Sequence, residues 1–179
     1  AACRMAGNQE IGDRLALTLS MAAEYDILLI VCFTDYYGSG FYPQGDDDYY
    51  AVDPNGWVTL KHEWFTGGFR DNYLPMVEYL ADRFKDNEQI FAWEIGNELK
   101  DIPYQENYVD FNLETAAAIR ANDTNHLITT GTGSTGFSAL DYSQSVRLYS
   151  GMDFITTHNY HGSEDSDIWL SELLDIPLI

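Results

Sequence analysis

Short apolar runs alternate along this chain with longer stretches in which apolar residues return every three or four positions. The first such stretch predicts a helix over about Gln9 to Glu24, with Ile11, Leu15, Leu19 and Ala22 on one face and Asn8 as its N-cap. Ile27 to Phe33 is a continuous apolar run of strand length, the pattern of a strand covered on both faces in a parallel sheet. Thr34 to Gly68 then reads as a long loop rich in Gly, Asp and aromatic residues, and loops of that length are usually functional. A helix is predicted from about Asn72 to Lys85, with Pro75 in its first turn and Tyr73, Val77, Leu80, Ala81 and Phe84 buried. The pattern continues with a strand at Ile90–Ile95, a helix over Tyr108–Asn122 and a strand at His126–Thr130. A Gly-rich loop, an ill-defined helical stretch, a strand at Phe154–Thr157 and a helix near Asp167–Leu174 follow, and Ile176–Ile179 opens a fifth strand.

Strand–helix alternation of this kind predicts an α/β fold with parallel strands. The strands recur about every 37 residues, and eight such units make about 300 residues, within the range of a (β/α)8 barrel. Five strands cannot close that barrel. The expectation is one incomplete barrel domain over residues 1–179, with about strands 3 to 7 present and both ends of the parent domain outside the chain.

Charge narrows the function. The 179 residues carry 29 acidic against 9 basic side chains, a formal net charge of −20. Such a surface repels phosphate backbones and anionic lipid, which argues against nucleic-acid and membrane partners and leaves neutral ligands. No apolar run approaches the roughly 20 residues of a membrane span. Two cysteines, Cys3 and Cys32, are too few for a disulfide framework, and Cys32 reads as a small buried hydrophobe within its strand.

The densest chemistry lies in Phe91-Ala92-Trp93-Glu94-Ile95-Gly96-Asn97-Glu98-Leu99. A strand running into Asn97-Glu98 brings an amide and a carboxylic acid to a strand's C-terminal end, the functional face of parallel α/β folds. Gly96 relaxes the backbone there, so that two successive side chains can turn inward. On its own, the pair reads equally as a helix cap or a solvated turn. Its context decides otherwise. Trp93-Glu94-Ile95-Gly96-Asn97-Glu98, with its lead-in Asp86 to Ala92, resembles the acid/base strand of retaining glycoside hydrolases with a (β/α)8 barrel. It looks most like glycoside hydrolase family 5, and within it the endo-β-mannanases. Asp123-Thr124-Asn125-His126-Leu127-Ile128 resembles that family's fifth-strand entry, and Asp153-Phe154-Ile155-Thr156-Thr157-His158-Asn159-Tyr160 its sixth strand.

Carried over by position, the resemblance implies that Glu98 is the general acid/base, with a pKa raised by an apolar barrel mouth and by the nucleophile's charge. Asn97 would bind the sugar 2-hydroxyl. His158 and Tyr160 would line that subsite, Tyr160 by hydrogen-bonding the nucleophile. Glu94 reads as a barrel-interior carboxylate, and Arg4 is a candidate for the family's cleft arginine at the end of the second strand. The retaining mechanism needs a second carboxylate about 5–5.5 Å from the first. The family places it at the end of the seventh strand, and Ile176–Ile179 only opens that strand. Glu164 and Glu172 belong to the preceding loop and helix. The 179 residues alone are therefore expected to be inactive.

Nine aromatic residues crowd the loop after the first strand, and sugar faces stack on such rings. Trp64 and Tyr37 are the favoured platforms; Trp169 reads rather as helix core. Asp46-Asp47-Asp48 lacks the spacing of a calcium loop, and the His158–His161 pair lacks further zinc ligands, so no metal or cofactor is expected. The implied partner is a neutral β-linked polysaccharide, mannan first and glucan second, acted on by a secreted endo-glycosidase. A catalytically dead barrel that only binds glycan, and a small complete domain with an open five-stranded sheet, are the alternatives from other classes.

Overall fold

The computed structural model describes residues 2–35, 49–52, 58–101, 104–133, 139–158 and 164–179, with the side chains of 2–7, 50–52, 58–59 and 164 outside that description. Helix α1 (Ala2–Glu24) begins seven residues before the predicted start and lays Ile11, Leu15 and Leu19 against the core. Arg4 thus falls in its first turn rather than at a strand end. The helix ends in a left-handed residue, Asp26 (φ 55°), and the amide of Ile27 donates back to the carbonyl of Ala22 at 3.0 Å. Asp175 (φ 53°) does the same for the last helix, with Ile176 N–H reaching Ser171 O at 3.2 Å. Both are Schellman-type stops with Asp where Gly is commoner, and each delivers the chain directly into an extended segment.

Strand β1 (Leu29–Cys32) pairs in parallel with β4 (Ile90–Glu94), and β4 with β5 (Leu127–Thr129). The register sets Cys32 opposite Glu94 and Glu94 opposite Thr129. Next in space comes the segment 153–157, whose Ile155 bridges Leu178 in parallel. It joins β5 less regularly than predicted. Asp153 N–H donates to Ile128 O at 2.9 Å, but the Asp153 carboxylate takes the Ile128 amide in return, at 2.7 Å, where a regular ladder would offer a carbonyl. Five parallel segments therefore follow one another in chain order, as in one arc of a barrel.

The predicted loop 34–68 contains structure that the hydrophobic pattern did not show. An antiparallel hairpin of β2 (Tyr50–Val52) and β3 (Val58–Leu60) leads into a π-helical turn at Trp64–Gly68 and the short α2 (Phe69–Asn72). Strands of three residues are too short for a period to show. Helix α3 (Leu74–Phe84) packs against α1 and α4 (Gln105–Asn122), the latter following β4. The ill-defined stretch becomes α5 (Tyr142–Tyr149), started by a capping box in which Asp141 and Gln144 satisfy each other's amides. Helix α6 (Glu164–Leu174) closes the described chain's alternation.

The core between sheet and helices holds a cluster of aromatic rings among its aliphatic side chains. Phe33 stacks on Trp93 at 5.0 Å, and Phe65, Phe69, Tyr73 and Phe111 meet edge-on or tilted around them. Offset and edge-on ring pairs contribute about 1 kcal/mol each beyond the area they bury. Tyr73 uses its hydroxyl as well, donating to Ile95 O at 2.6 Å just past the end of β4.

At the opposite end of the sheet, Asp123 gathers donors ahead of β5. Its carboxylate accepts from Trp93 Nε1 at 2.7 Å, lies 2.6 Å from His126 Nδ1, and accepts the amides of Asn125 and His126 at 2.8 and 3.2 Å. Burial pushes this carboxyl up, but those hydrogen bonds outweigh it and hold Asp123 below its ordinary value. Removing it strands buried donors. In the whole protein, Asp123→Ala should lose about 3 kcal/mol of stability at pH 7 in denaturant unfolding. Because the folded pKa is depressed, that contribution is complete above the unfolded carboxylate's value, near 4, and drains away as pH falls through the folded one. The gap between wild type and variant should therefore narrow in the same experiment at about pH 3. A second test concerns Gly131, which has φ +72° and where a Cβ would stand 2.6 Å from Gly96 O and 2.7 Å from the Glu94 carboxyl carbon. Gly131→Ala should cost more than about 1 kcal/mol by the same measurement, since both the backbone angle and the space exclude a side chain.

Candidate active site

The C-terminal end of β4 is where the chain's chemistry collects. In a regular parallel strand successive amides point to alternate neighbours. Here Ile95 and Gly96 both donate to the β5 side, to Thr129 O at 3.0 Å and Thr130 O at 3.1 Å, so the alternation slips by one. Gly96 leaves room at the slip, because a Cβ there would lie 2.4 Å from the Leu99 side chain and force it to move. The next two amides part. Asn97 donates to Thr34 O at 2.8 Å, on the β1 side, and Glu98 to Gly131 O at 2.8 Å, on the β5 side. Glu98 itself is left-handed, with φ 54°, an unusual state for a residue with a side chain.

This backbone sends the two side chains to different partners. Asn97 Nδ2 donates to Asp35 Oδ1 at 3.3 Å, beside a parallel bridge between the two residues. Glu98 is 6% exposed, and its Oε1 lies 3.0 Å from Nδ1 of His158. His158 follows Thr157, which is tied down twice. Its amide donates to Ile179 O at 3.2 Å and its hydroxyl to the buried Asp167 at 2.8 Å. Glu98, Asn97 and His158, singled out separately in the sequence, thus come together at one end of the sheet. Such a set puts a buried carboxyl beside an amide able to bind a hydroxyl, the two groups that acid-catalysed glycoside cleavage uses.

Beneath this level sits Glu94, buried in the sheet as read from the sequence. Cys32 opposite it corrects the expectation of a buried hydrophobe: the residue lies exposed on the edge strand, its thiol donating to Thr34 O at 3.0 Å. Its sulfur end is nonetheless tucked against the sheet, and that burial, with the Glu94 charge beside it, pushes the thiol to about 12. Burial likewise pushes Tyr108 to about 12, its hydroxyl bonded to Thr132. Lys100, just after Glu98, is held below the usual amine range by burial, partly offset by the Glu98 charge.

The aromatic candidates divide. Trp64 is 4% exposed, with Tyr49 and Tyr73 against its ring at 6.3 and 5.9 Å, so it packs the inserted segment onto the sheet and offers no open face. Tyr37 and Tyr160 lie outside the described residues, as do Asp46–Asp48 and His161. Trp169, read as helix core, is 38% exposed and tilts against Tyr142 at 4.5 Å. Three partners escaped the sequence reading: Asp35, Asp167 and the buried Asp101. Asp35, two residues past an apolar strand on the functional face, carried a positional signal; Asp167 and Asp101 pair across distances that no spacing rule reaches. No group of three or more His, Cys, Asp or Glu side chains suited to a metal ion occurs among the described residues.

Comparison with known proteins fits this geometry. Residues 7–172 match the family model described as cellulase, glycosyl hydrolase family 5. The mannan endo-1,4-beta-mannosidase F of Aspergillus clavatus is 30% identical over 152 residues, covering 79% of this chain and 32% of that protein. The mannan endo-1,4-beta-mannosidase A of Emericella nidulans is 27% identical over 163 residues, covering 84% of this chain and 40% of the relative. The chain thus spans about 32% and 40% of the lengths of these two relatives. Among solved structures, the endo-beta-1,4-mannanase of Thermotoga petrophila superposes with a TM-score of 0.68 at 20% identity, over 93% of this chain and 44% of that one. The catalytic domain of the Thermobifida fusca endoglucanase Cel5A gives 0.56 at 14%, over 96% and 50%. Those likenesses establish a shared fold, and the model match extends over nearly the whole sequence. The chain belongs to glycoside hydrolase family 5.

Proposed function

We propose that this chain is the acid/base-bearing part of a retaining endo-glycosidase that hydrolyses β-1,4 links in a neutral polysaccharide, mannan before glucan. The observation that carries the reading is the placement of Glu98, buried and left-handed at a strand's C-terminal end, with His158 at 3.0 Å and Asn97 beside it. In this reading Glu98 donates its proton to the glycosidic oxygen as the bond breaks, then takes one from the water that completes the cycle. Asn97, oriented by Asp35, binds the hydroxyl next to the reacting carbon, and His158 fixes the rotamer of Glu98. The second carboxylate is expected at the end of the strand that Ile176–Ile179 opens, beyond the 179 residues, with the remaining strands completing one barrel. A net charge of −20 suits an uncharged polymer. Since such a polymer does not cross a membrane, the site of action is outside the cell.

Mannan is preferred because the similar curated proteins are named as mannan endo-1,4-beta-mannosidases. Glucan remains the second reading because the matching family model is described as cellulase and an endoglucanase shares the fold. Assay of the whole protein on mannan and on cellulose or mixed glucan decides between them; cleavage of neither, with retained binding, would favour a glycan-binding barrel instead. For the mechanism, Glu98→Gln should lower kcat on the polysaccharide by about 10²–10⁴-fold. The deficit should shrink sharply for the bond-breaking step of a dinitrophenyl glycoside, whose leaving group needs no proton. Equal deficits on both substrates would remove Glu98 from the acid role.

A further inference from the structure

The loop that leaves Glu98 carries a second constellation that the acid/base reading does not use. Asp101, three residues on, is buried to 6% exposure, and its Oδ2 lies 2.9 Å from Nδ1 of His62. Three residues of chain span at most about 11 Å, so this pair sits close beside Glu98. His62 comes from the inserted segment just after β3, 39 residues away in sequence. Its ring lies 4.0 Å from that of Tyr104, tilted by 36°, and Tyr104 is 52% exposed at the start of α4. The His62 side chain keeps about a third of its surface exposed (35%), against 4% for Asp101.

Burying Asp101 is not the cheapest way to close this loop. Burial pushes its carboxyl up, against the pull of His62 and Asn107, so the ionised form is held at a cost to the fold. A buried carboxylate that bonds one nitrogen of a half-exposed imidazole fixes the ring's orientation and tautomer, and leaves the other nitrogen to meet something outside. Alongside that ring stands Tyr104, more than half exposed.

We propose that His62, oriented by Asp101, and Tyr104 form a sugar-binding subsite on the leaving-group side of Glu98, His62 bonding a hydroxyl through Nε2 and Tyr104 stacking on a sugar face. This rests on the glycosidase reading above and extends it. Asn97, before Glu98, serves the sugar whose bond is cleaved, whereas His62, Asp101 and Tyr104 lie along the chain that continues past the acid. A ring plus one oriented polar atom is a minimal saccharide contact, apolar on one side and hydrogen-bonding on the other. A ring face with one hydrogen-bonding nitrogen matches a neutral polymer.

The test uses the whole protein and two substrates of one sugar. One is a nitrophenyl glycoside, with no sugar on the leaving side; the other is an unmodified oligosaccharide that extends past the cleaved bond. His62→Gln keeps a donor for Asp101 while removing the ring, and Tyr104→Ala removes a ring that is mostly exposed, so both variants should fold with melting temperatures near wild type. Each should lower kcat/KM on the oligosaccharide by about tenfold, equivalent to about 1.4 kcal/mol of lost binding in the transition state. Each should stay within about twofold of wild type on the nitrophenyl glycoside. Equal losses on both substrates would mean that these residues only hold the loop, and would overturn the subsite; so would an undiminished rate on the oligosaccharide. If the wild type cleaves neither substrate, for mannose or for glucose, the glycosidase reading itself fails and the subsite with it.

Discussion

Everything at the functional end depends on how the four amides that follow β4 are shared between its two neighbours. Ile95 and Gly96 donate to the β5 side, Asn97 to the β1 side, and Glu98 to the β5 side again. A strand that paired regularly would not place an amide against Asp35 and the following carboxyl against His158. The slip needs Gly96, whose missing Cβ leaves room for Leu99, and Gly131, whose carbonyl receives the Glu98 amide from a left-handed turn. The positive φ of Glu98 is unfavourable taken alone, by about 1 kcal/mol or more. It persists because its neighbours are fixed: Leu99 is buried and Asp101 is anchored to His62. Strain at Glu98 is thus maintained by packing on either side of it.

The same pinning explains which parts of the molecule could be read from the sequence. The β1 and β4 runs are apolar and continuous, so their signal is strong. Asn97 and Glu98 alone read as a cap or a turn, and stood out through the family resemblance of the strand that leads into them. His158 stood out only through family resemblance, and its partner, Glu98, lies 60 residues away. The hairpin β2–β3 was invisible because three-residue strands leave no period, and Trp64 looked like a platform because an aromatic in an apparent loop has no helix stripe to claim it. Once the π-helical turn is known, its burial between Tyr49 and Tyr73 follows. Cys32 and Trp169 were misread for the complementary reason. Apolar patterning shows that an element has a buried face, not which of its residues turn the other way on an edge strand or an outer helix.

Charge is managed differently at the two ends of the sheet. Among the described residues, Arg14, Arg70, Arg83, Arg120 and Arg147 pair with carboxylates near the surface, while the buried carboxyls Glu98, Asp101, Asp123 and Asp167 have His, Thr, Trp and backbone donors. An adjacent guanidinium would hold a carboxyl permanently ionised, which is useful for a fixed anchor and useless for a group that must gain and lose a proton. Within that common scheme the shifts run in opposite directions. Asp123, ahead of β5 at the sheet's N-terminal end, has enough donors to fall below its ordinary value, and its ionised form stabilises the fold. Asp101, beyond β4 at the C-terminal end, has too few to overcome burial, and its ionised form is a burden. In parallel α/β barrels the N-terminal end serves stability and the C-terminal end serves chemistry. The two aspartates stand at opposite ends of the sheet with shifts of opposite sign, each set by the balance of burial against the donors within reach.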